Sequence, residues 1–197
     1  MTIPEDPGRY ARVRLHESEV LSHAWYTLKR VTYDYQRSDG AWVEQRREVY
    51  DRGNGATILL RDETRDTVLL TRQFRMPAYL NGHPDGMLIE TPAGLLDGED
   101  PETAIRREAE EETGYRVDTV QRIGEYFMSP GSVTERIAFF TGSYRAGERV
   151  SEGGGVEGEG EDIEVLEVTL AEALAMIDSG EIIDAKTVLL LRLAQLA

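Results

Sequence analysis

The sequence predicts an α/β fold: a sandwich of helices around a mixed β-sheet, preceded by an antiparallel β region at the N-terminus. Three observations predict it. Side chains alternate in character along residues 25–35 and return through a turn signal to 41–50. Later segments carry helix start and stop signals. Strand-like and helix-like segments then follow one another without a regular β–α rhythm, which points to a mixed sheet with helices packed on it.

The elements can be justified in order. Residues 1–20 are polar and read as loosely held. Over 25–35, Trp25, Thr27, Lys29 and Val31 alternate with Tyr26, Leu28, Arg30 and Thr32, as on the two faces of a strand. Ser38-Asp39-Gly40 is a turn, and 41–50 is the returning strand of a hairpin. Gly53-Asn54-Gly55 breaks the chain. Segments 56–60 and 67–72 read as strands joined by the charged turn 61–66, and 87–90 as a short strand ending in Thr91-Pro92-Ala93-Gly94. A helix begins at Pro101: Asp100 can cap it, proline suits its first position, and Glu102 complements the positive end of its dipole. Gly114 ends it. Strands follow near 117–128, 135–141 and 163–168. The Gly/Glu-rich stretch 152–162 has the composition of a disordered loop. Helices over 170–178 and 186–195 close the chain, and there are no internal repeats.

Composition narrows the function. The 197 residues suffice for one substantial core, or for a domain with a small appendage. No apolar run is long enough to cross a bilayer, and the first ten residues lack the basic-then-apolar order of a secretory signal. The absence of cysteine removes disulfides and thiolate chemistry, so a cytoplasmic protein is expected. A net charge of −15 repels nucleic-acid backbones, and neither nucleic acid nor membrane is expected as a partner. A polyanionic substrate must then be received locally, by cations or a bound metal. Lys29 and Lys186 are the only lysines among 22 basic residues.

The chemistry is concentrated in Arg107-Glu108-Ala109-Glu110-Glu111-Glu112-Thr113-Gly114. At about 100° per residue, Glu108, Glu111 and Glu112 share one helix face. Carboxylates gathered against their own repulsion are suited to divalent cations such as Mg²⁺, which takes hard oxygen ligands and bridges carboxylates to phosphates. His16, His23 and His83 have no zinc-ligand spacing, and there is no Walker loop or dinucleotide-binding fingerprint.

The longer pattern of Gly94, Glu99, Arg107-Glu108, Ala109, Glu111-Glu112, Gly114 and Tyr115 resembles the Nudix box, a loop–helix–loop signature. The interval from Gly94 to Glu99 is one residue shorter than the usual box. The segments 48–56, 72–75, 93–97, 128–131, 153–157 and 186–191 resemble the GDP-mannose pyrophosphatase branch of that family, and Pro130, sixteen residues after Gly114, is shared with the ADP-ribose pyrophosphatases.

The resemblance implies a Nudix α/β/α sandwich with a mixed sheet over 51–197, and an N-terminal β region over 1–50 that takes part in a homodimer. It implies Glu108 and Glu112 as metal ligands, joined by the backbone carbonyl of Ala93, with Glu111 in the catalytic set. Arg107 is implied to be structural. A further ligand or general base is implied from the loop before the last strand: Glu161, with Glu159 and Glu157 as alternatives, on a loop able to close over the substrate. Arg75 is implied to grip a phosphate with its guanidinium fork. Lys186 is implied at a phosphate or the sugar, Arg46, Arg47 and Glu48 at the nucleotide, Glu135 at the substrate, and Trp25 stacked on the base. The cofactor implied is Mg²⁺, with Mn²⁺ as the alternative. The implied reaction is hydrolysis of GDP-mannose to GMP and mannose 1-phosphate. Its rivals are hydrolysis of ADP-ribose to AMP and ribose 5-phosphate, and a non-catalytic protein that senses nucleotide sugars.

Overall fold

The computed structural model describes residues 11–155, 158 and 162–196. They fall into two compact units: residues up to Gly53 with Phe127–Glu135, and Asn54–Tyr126 with the chain from Arg136 onward.

The first unit is a three-stranded antiparallel sheet in the order β1-β2-β3, with β1 at Val13–His23, β2 at Thr27–Gln36 and β3 at Trp42–Asp51. β2 and β3 pair without interruption from Thr27↔Asp51 to Gln36↔Trp42. β1 corrects the reading of 1–20 as loosely held, because most of its length lies in that segment. Bulges between Leu15 and Glu17 and between Val20 and Ser22 shift its register twice. Each shift swaps the faces that successive side chains occupy, so no two-residue period survives in the sequence. β2 also starts two residues later than the alternation suggested. Trp25 lies in the bend between β1 and β2 and is 84% exposed.

Asp51 ties this unit to its distant segment. Its carboxylate accepts from Lys29 Nζ at 3.3 Å, Thr134 Oγ1 at 3.1 Å and Gly53 N at 3.4 Å. Burial pushes that carboxyl up, but these donors outweigh it and hold it below the usual carboxylate value.

The second unit has β4 (Gly55–Asp62), β5 (Thr67–Phe74), α1 (Met76–Leu80), β6 (Met87–Glu90), β7 (Ala93–Leu95), α2 (Pro101–Thr113), β8 (Val120–Phe127), β9 (Arg136–Ser143), β10 (Glu164–Thr169), α3 (Leu170–Ser179) and α4 (Ala185–Leu196). The sheet order is β10-β5-β4-β9-β8. β4 and β9 run parallel while β5 is antiparallel to β4 and β10, so the sheet is mixed.

Ile58, Leu60 and Leu69 pack with Phe140, Ile105 and Ala109 in one core. Leu59, Val68 and Leu70 alternate with them and are equally buried, so both faces of the sheet are covered. α2 packs on β4 and β7, α3 on β10 and β5, and α4 on β4 and β6. Each such buried aliphatic side chain contributes roughly 1.5–3 kcal/mol. This is the expected sandwich. The five-residue α1 and three-residue β7 were not anticipated; both are too short to leave a periodic signal.

The β4–β5 hairpin holds together for three residue pairs, Leu60↔Leu69 to Asp62↔Thr67. Beyond them the strands part, and the chain from 87 to 95 fills the split. β6 pairs with β5 from Thr71↔Glu90 to Phe74↔Met87, and β7 pairs with β4 from Gly55↔Leu95 to Thr57↔Ala93.

α2 has the anticipated ends. The Asp100 carboxylate accepts from Glu102 N and Thr103 N, and Gly114 closes the helix in the left-handed conformation at φ 77°. The start of 152–162 departs from the disordered reading. Gly154 N donates to Glu112 O at 2.8 Å and Gly155 N to Glu111 O at 3.2 Å, so the glycine run caps the helix.

Replacing the cap, Asp100→Ala, leaves two donors at the α2 N-terminus without their side-chain acceptor. We expect a loss of about 1 kcal/mol, seen as a fall of about 2–4 °C in Tm by circular dichroism. An unchanged melting curve counts against this account of how α2 begins.

Candidate active site

The split between β4 and β5 brings one end of β6, the start of β7 and the face of α2 to one place. Glu112 is 2% exposed, and its Oε2 accepts from Ala93 N at 3.3 Å. A Cβ on Gly94 would lie 2.1 Å from Glu108 Cδ, far inside contact distance. Glycine at 94 therefore lets the Glu108 carboxylate lie against β7.

Arg107 holds the outer side of the same helix. Its Nη2 meets Glu99 Oε2 at 3.3 Å and Glu108 Oε1 at 3.0 Å, and its Nη1 meets Glu111 Oε2 at 2.8 Å. Burial works against the Arg107 charge, but Glu108 and Glu111 outweigh it and raise the guanidinium above its ordinary value. These groups are partly exposed, so each pair is worth less than about 1 kcal/mol. Their effect is to orient the carboxylates and offset the repulsion between them.

A second cluster centres on Glu90, which is 3% exposed. Arg75 Nε donates to Glu90 Oε1 at 3.3 Å and to Oε2 at 3.2 Å, and Arg75 Nη2 donates to Oε2 at 2.6 Å. Lys186 Nζ stands 3.4 Å from Glu90 Oε2 and 3.0 Å from Asp184 Oδ1. Burial alone would raise the Glu90 carboxyl; Lys186 and Arg75 reverse that and hold it below the ordinary value. Arg75 is raised in turn: burial opposes its charge, but Glu90 prevails, helped at longer range by Glu112 and Asp184. Arg75 and Glu112 therefore share one electrostatic environment.

Threonines bolt α4 to this corner. Thr91 N donates to Thr187 Oγ1 at 2.7 Å, and Thr187 Oγ1 donates to Asp184 Oδ2 at 2.7 Å. Thr57 Oγ1 donates to Pro92 O at 3.0 Å and so accepts from Thr91 Oγ1 at 2.8 Å. Every buried polar group named in this corner has a partner.

Of the residues singled out in the sequence, Ala93, Glu108, Glu111, Glu112, Arg75 and Lys186 all lie in the second unit, around this corner. Trp25, Arg46, Arg47, Glu48 and Glu135 belong to the first. There Arg46 pairs with Glu44 at 3.4 Å, Arg47 Nη1 donates to Arg46 O at 2.8 Å, and Glu48 lies 3.8 Å from Arg30. Glu135 is buried against Arg52 Nε at 3.3 Å. Glu161, Glu159 and Glu157 lie outside the described residues.

Among the described residues no three acidic or histidine side chains are grouped so as to hold a metal ion. The Glu108 carboxylate nevertheless lies against Gly94, in a cradle that a Cβ there would fill, and the Glu112 carboxylate takes the Ala93 N–H, so two hard oxygen donors flank Ala93-Gly94, a pair that fits a small divalent cation. Glu90 was missed in the sequence. The available signal was a lone charge closing the apolar run Met87-Leu88-Ile89, directly before Thr91-Pro92-Ala93-Gly94.

Two family models match the chain: the GDP-mannose pyrophosphatase NudK N-terminal domain over residues 12–50, and the NUDIX domain over residues 51–191. Curated relatives named GDP-mannose pyrophosphatase include one from Salmonella arizonae, 57% identical over 91% of this chain and 93% of its own length. Another, from Escherichia coli O1:K1 / APEC, is 52% identical over 94% of this chain and 96% of its own. A solved structure described as an ADP compounds hydrolase superposes with a TM-score of 0.70 over 93% of this chain and 92% of that one. At 17% identity it shows a common fold. Nudix hydrolases are as a rule dependent on divalent metals. A box helix folded against Ala93-Gly94, a NUDIX match over most of the chain, and relatives more than half identical lead to one conclusion: the protein belongs to the Nudix hydrolase family.

Proposed function

We infer that the protein hydrolyses the diphosphate bond of a nucleoside-diphosphate sugar, with GDP-mannose as substrate and GMP and mannose 1-phosphate as products. The observation that carries this reading is the corner itself. Glu108 and Glu112 flank Ala93-Gly94, while Arg75 and Lys186 are anchored a few residues away on Glu90. Relatives above 50% identity named GDP-mannose pyrophosphatase support the choice of substrate.

In this reading Glu108, Glu112 and the Ala93 carbonyl would hold the metal, which we propose to be Mg²⁺, with Glu111 beside them. When bound, a divalent cation supplies positive charge to the diphosphate and acidity to a water. Arg75 and Lys186 bind the phosphates and stabilise the charge that develops as the bridge breaks. Gly94 keeps the Glu108 carboxylate close to β7, and Arg107 keeps the glutamate face oriented. Glu161 is proposed as the loop ligand or base, with Glu159 and Glu157 as alternatives. Trp25, Arg46, Arg47, Glu48 and Glu135 are proposed to contact the substrate.

A homodimer formed with the N-terminal region is part of the same proposal. Its support is the apolar side chains of Leu15, Val20 and Val43, which β1 and β3 leave exposed. A cytoplasmic setting is proposed on the cysteine-free composition.

Purified protein with Mg²⁺ should release GMP and mannose 1-phosphate from GDP-mannose faster than it cleaves ADP-ribose, ADP-glucose or dinucleoside polyphosphates. A preference for ADP-ribose would move the assignment to the rival enzyme. Tight GDP-sugar binding without product in excess Mg²⁺ would make the protein a sensor.

Glu112→Gln keeps the shape and one acceptor for Ala93 N but loses the charge. It should lower kcat by about 100-fold or more with little change in Tm. Wild-type turnover in that variant would remove Glu112 from the metal site. Sedimentation equilibrium should give about twice the 22.1 kDa chain mass; a monomer at assay concentration refutes the dimer.

A further inference from the structure

Glu90 holds both cations assigned above to the diphosphate, and it holds them by their inner sides. Arg75 gives it Nε and Nη2, one edge of the guanidinium. A guanidinium carries five N–H donors, so the Nη1 end keeps its own. Among the described residues none occupies Nη1, and Arg75 remains partly exposed while Glu90 is buried. Lys186 has three donors, with Glu90 Oε2 and Asp184 Oδ1 in front of two of them.

The four groups balance in charge, two cations against two carboxylates. Such a buried ionic cluster is a poor way to stabilise a core, because apolar side chains of similar volume usually do as well or better. Its presence calls for a role other than stability.

The geometry points to Glu90 as a positioning residue for phosphoryl recognition: it locks the inner edges of Arg75 and Lys186 so that their remaining donors meet the diphosphate, and it offsets part of their charge until that anion arrives. This rests on the reading that Arg75 and Lys186 grip the diphosphate. Glu90 itself touches no substrate. It sets the direction of two groups that do, and it links them to β6, three residues before Ala93. The α4 helix enters the same device because Asp184 and Lys186 both come from its N-terminal end, which Thr187 fixes to Thr91.

The test is a mutant cycle. Glu90→Gln and Glu90→Asp are made in the wild-type protein and in Arg75→Ala, and each is read in GDP-mannose turnover and in calorimetric binding of inorganic pyrophosphate. In the wild-type background Glu90→Gln should lower kcat by about 30-fold and change KM by less than about threefold, since orientation is lost while both cations stay. Pyrophosphate should bind at least as tightly, because the competing carboxylate charge is gone. On Arg75→Ala the same change should lower kcat by less than about threefold, as expected for residues acting as one unit.

Glu90→Asp keeps the charge but draws it back, and should lose kcat to an intermediate extent. If Glu90→Gln does not fold, Glu90→Asp carries the cycle, with its loss again disappearing on Arg75→Ala. Equal losses in the two backgrounds overturn the proposal. So does a fall in kcat and pyrophosphate affinity together, in step with Tm, which would make Glu90 a core residue. Unchanged kcat in both Glu90 variants overturns it too. Pyrophosphate affinity indifferent to both Arg75→Ala and Lys186→Met refutes the phosphate-gripping reading instead, a result separable from the others.

Discussion

β4 and β5 stay paired for three residues and then part, and the site depends on how that split is filled. Two strands that separate inside a sheet expose backbone donors and acceptors that must find partners. The chain from 87 to 95 supplies them, β6 on β5 and β7 on β4, with Thr91 and Pro92 at the corner. Filling one gap with two short strands brings Glu90 to one side of the corner and Ala93 and Gly94 to the other. α2 then lays Glu108 and Glu112 against β7, and α4 brings Lys186 to Glu90. Without the split, the glutamates of α2, Arg75 just after β5 and Lys186 of α4 would have no common meeting point.

An acidic protein that must receive a diphosphate faces an electrostatic problem, and the corner shows how it is handled locally. Each cation near the proposed site is matched by carboxylates that hold it in place. Arg107 is shared among Glu99, Glu108 and Glu111, and Arg75 and Lys186 share Glu90. The two sets differ in burial, and that decides what they do. The Arg107 pairs are partly exposed, so they steer side chains at little energetic weight. Glu90 and Lys186 are withdrawn from water, so that pair is poorly screened and leaves a buried charge uncompensated when one partner is lost, while Arg75 is buried only at the edge that meets Glu90. The first set is adjustable and the second is held more firmly, a division between the proposed metal-side carboxylates and the proposed substrate-side cations.

Much of this was legible in the sequence, for reasons that can be named. α2 was readable because its signals are local: Asp100 at the cap, Pro101 at the first position, Gly114 at the end, and three glutamates at helical spacing. β4, β5 and β6 were readable as apolar runs between turn residues. β1 was not, since two bulges erase its period. Glu90 was not, because its importance comes from Lys186, ninety-six positions further along the chain, and from Arg75 across the β5–β6 pair. Pairing between distant segments leaves no spacing pattern in one sequence. Lys186 itself was noticed only as a lysine kept in an arginine-rich chain, and its burial beside Glu90 supplies a physical reason. A lysine ammonium is compact and sits between two carboxylates as a point charge, whereas a planar guanidinium would need a different cavity.

The glycine run before the acidic stretch shows how composition can mislead. Low complexity at 152–162 resembles a solvated linker, yet Gly153, Gly154 and Gly155 all adopt positive φ, at 68°, 98° and 81°. A Cβ on Gly153 would come within 2.6 Å of Glu112 O. The last carbonyls of a helix need donors, and here Gly154 N and Gly155 N satisfy Glu112, a proposed metal ligand, and its neighbour Glu111. Glycine is required twice over, by the left-handed backbone and by the close approach to the helix end. The carbonyls that anchor the loop thus belong to the residues that carry the carboxylates. Any shift of the helix end therefore moves Gly154 and Gly155 with it.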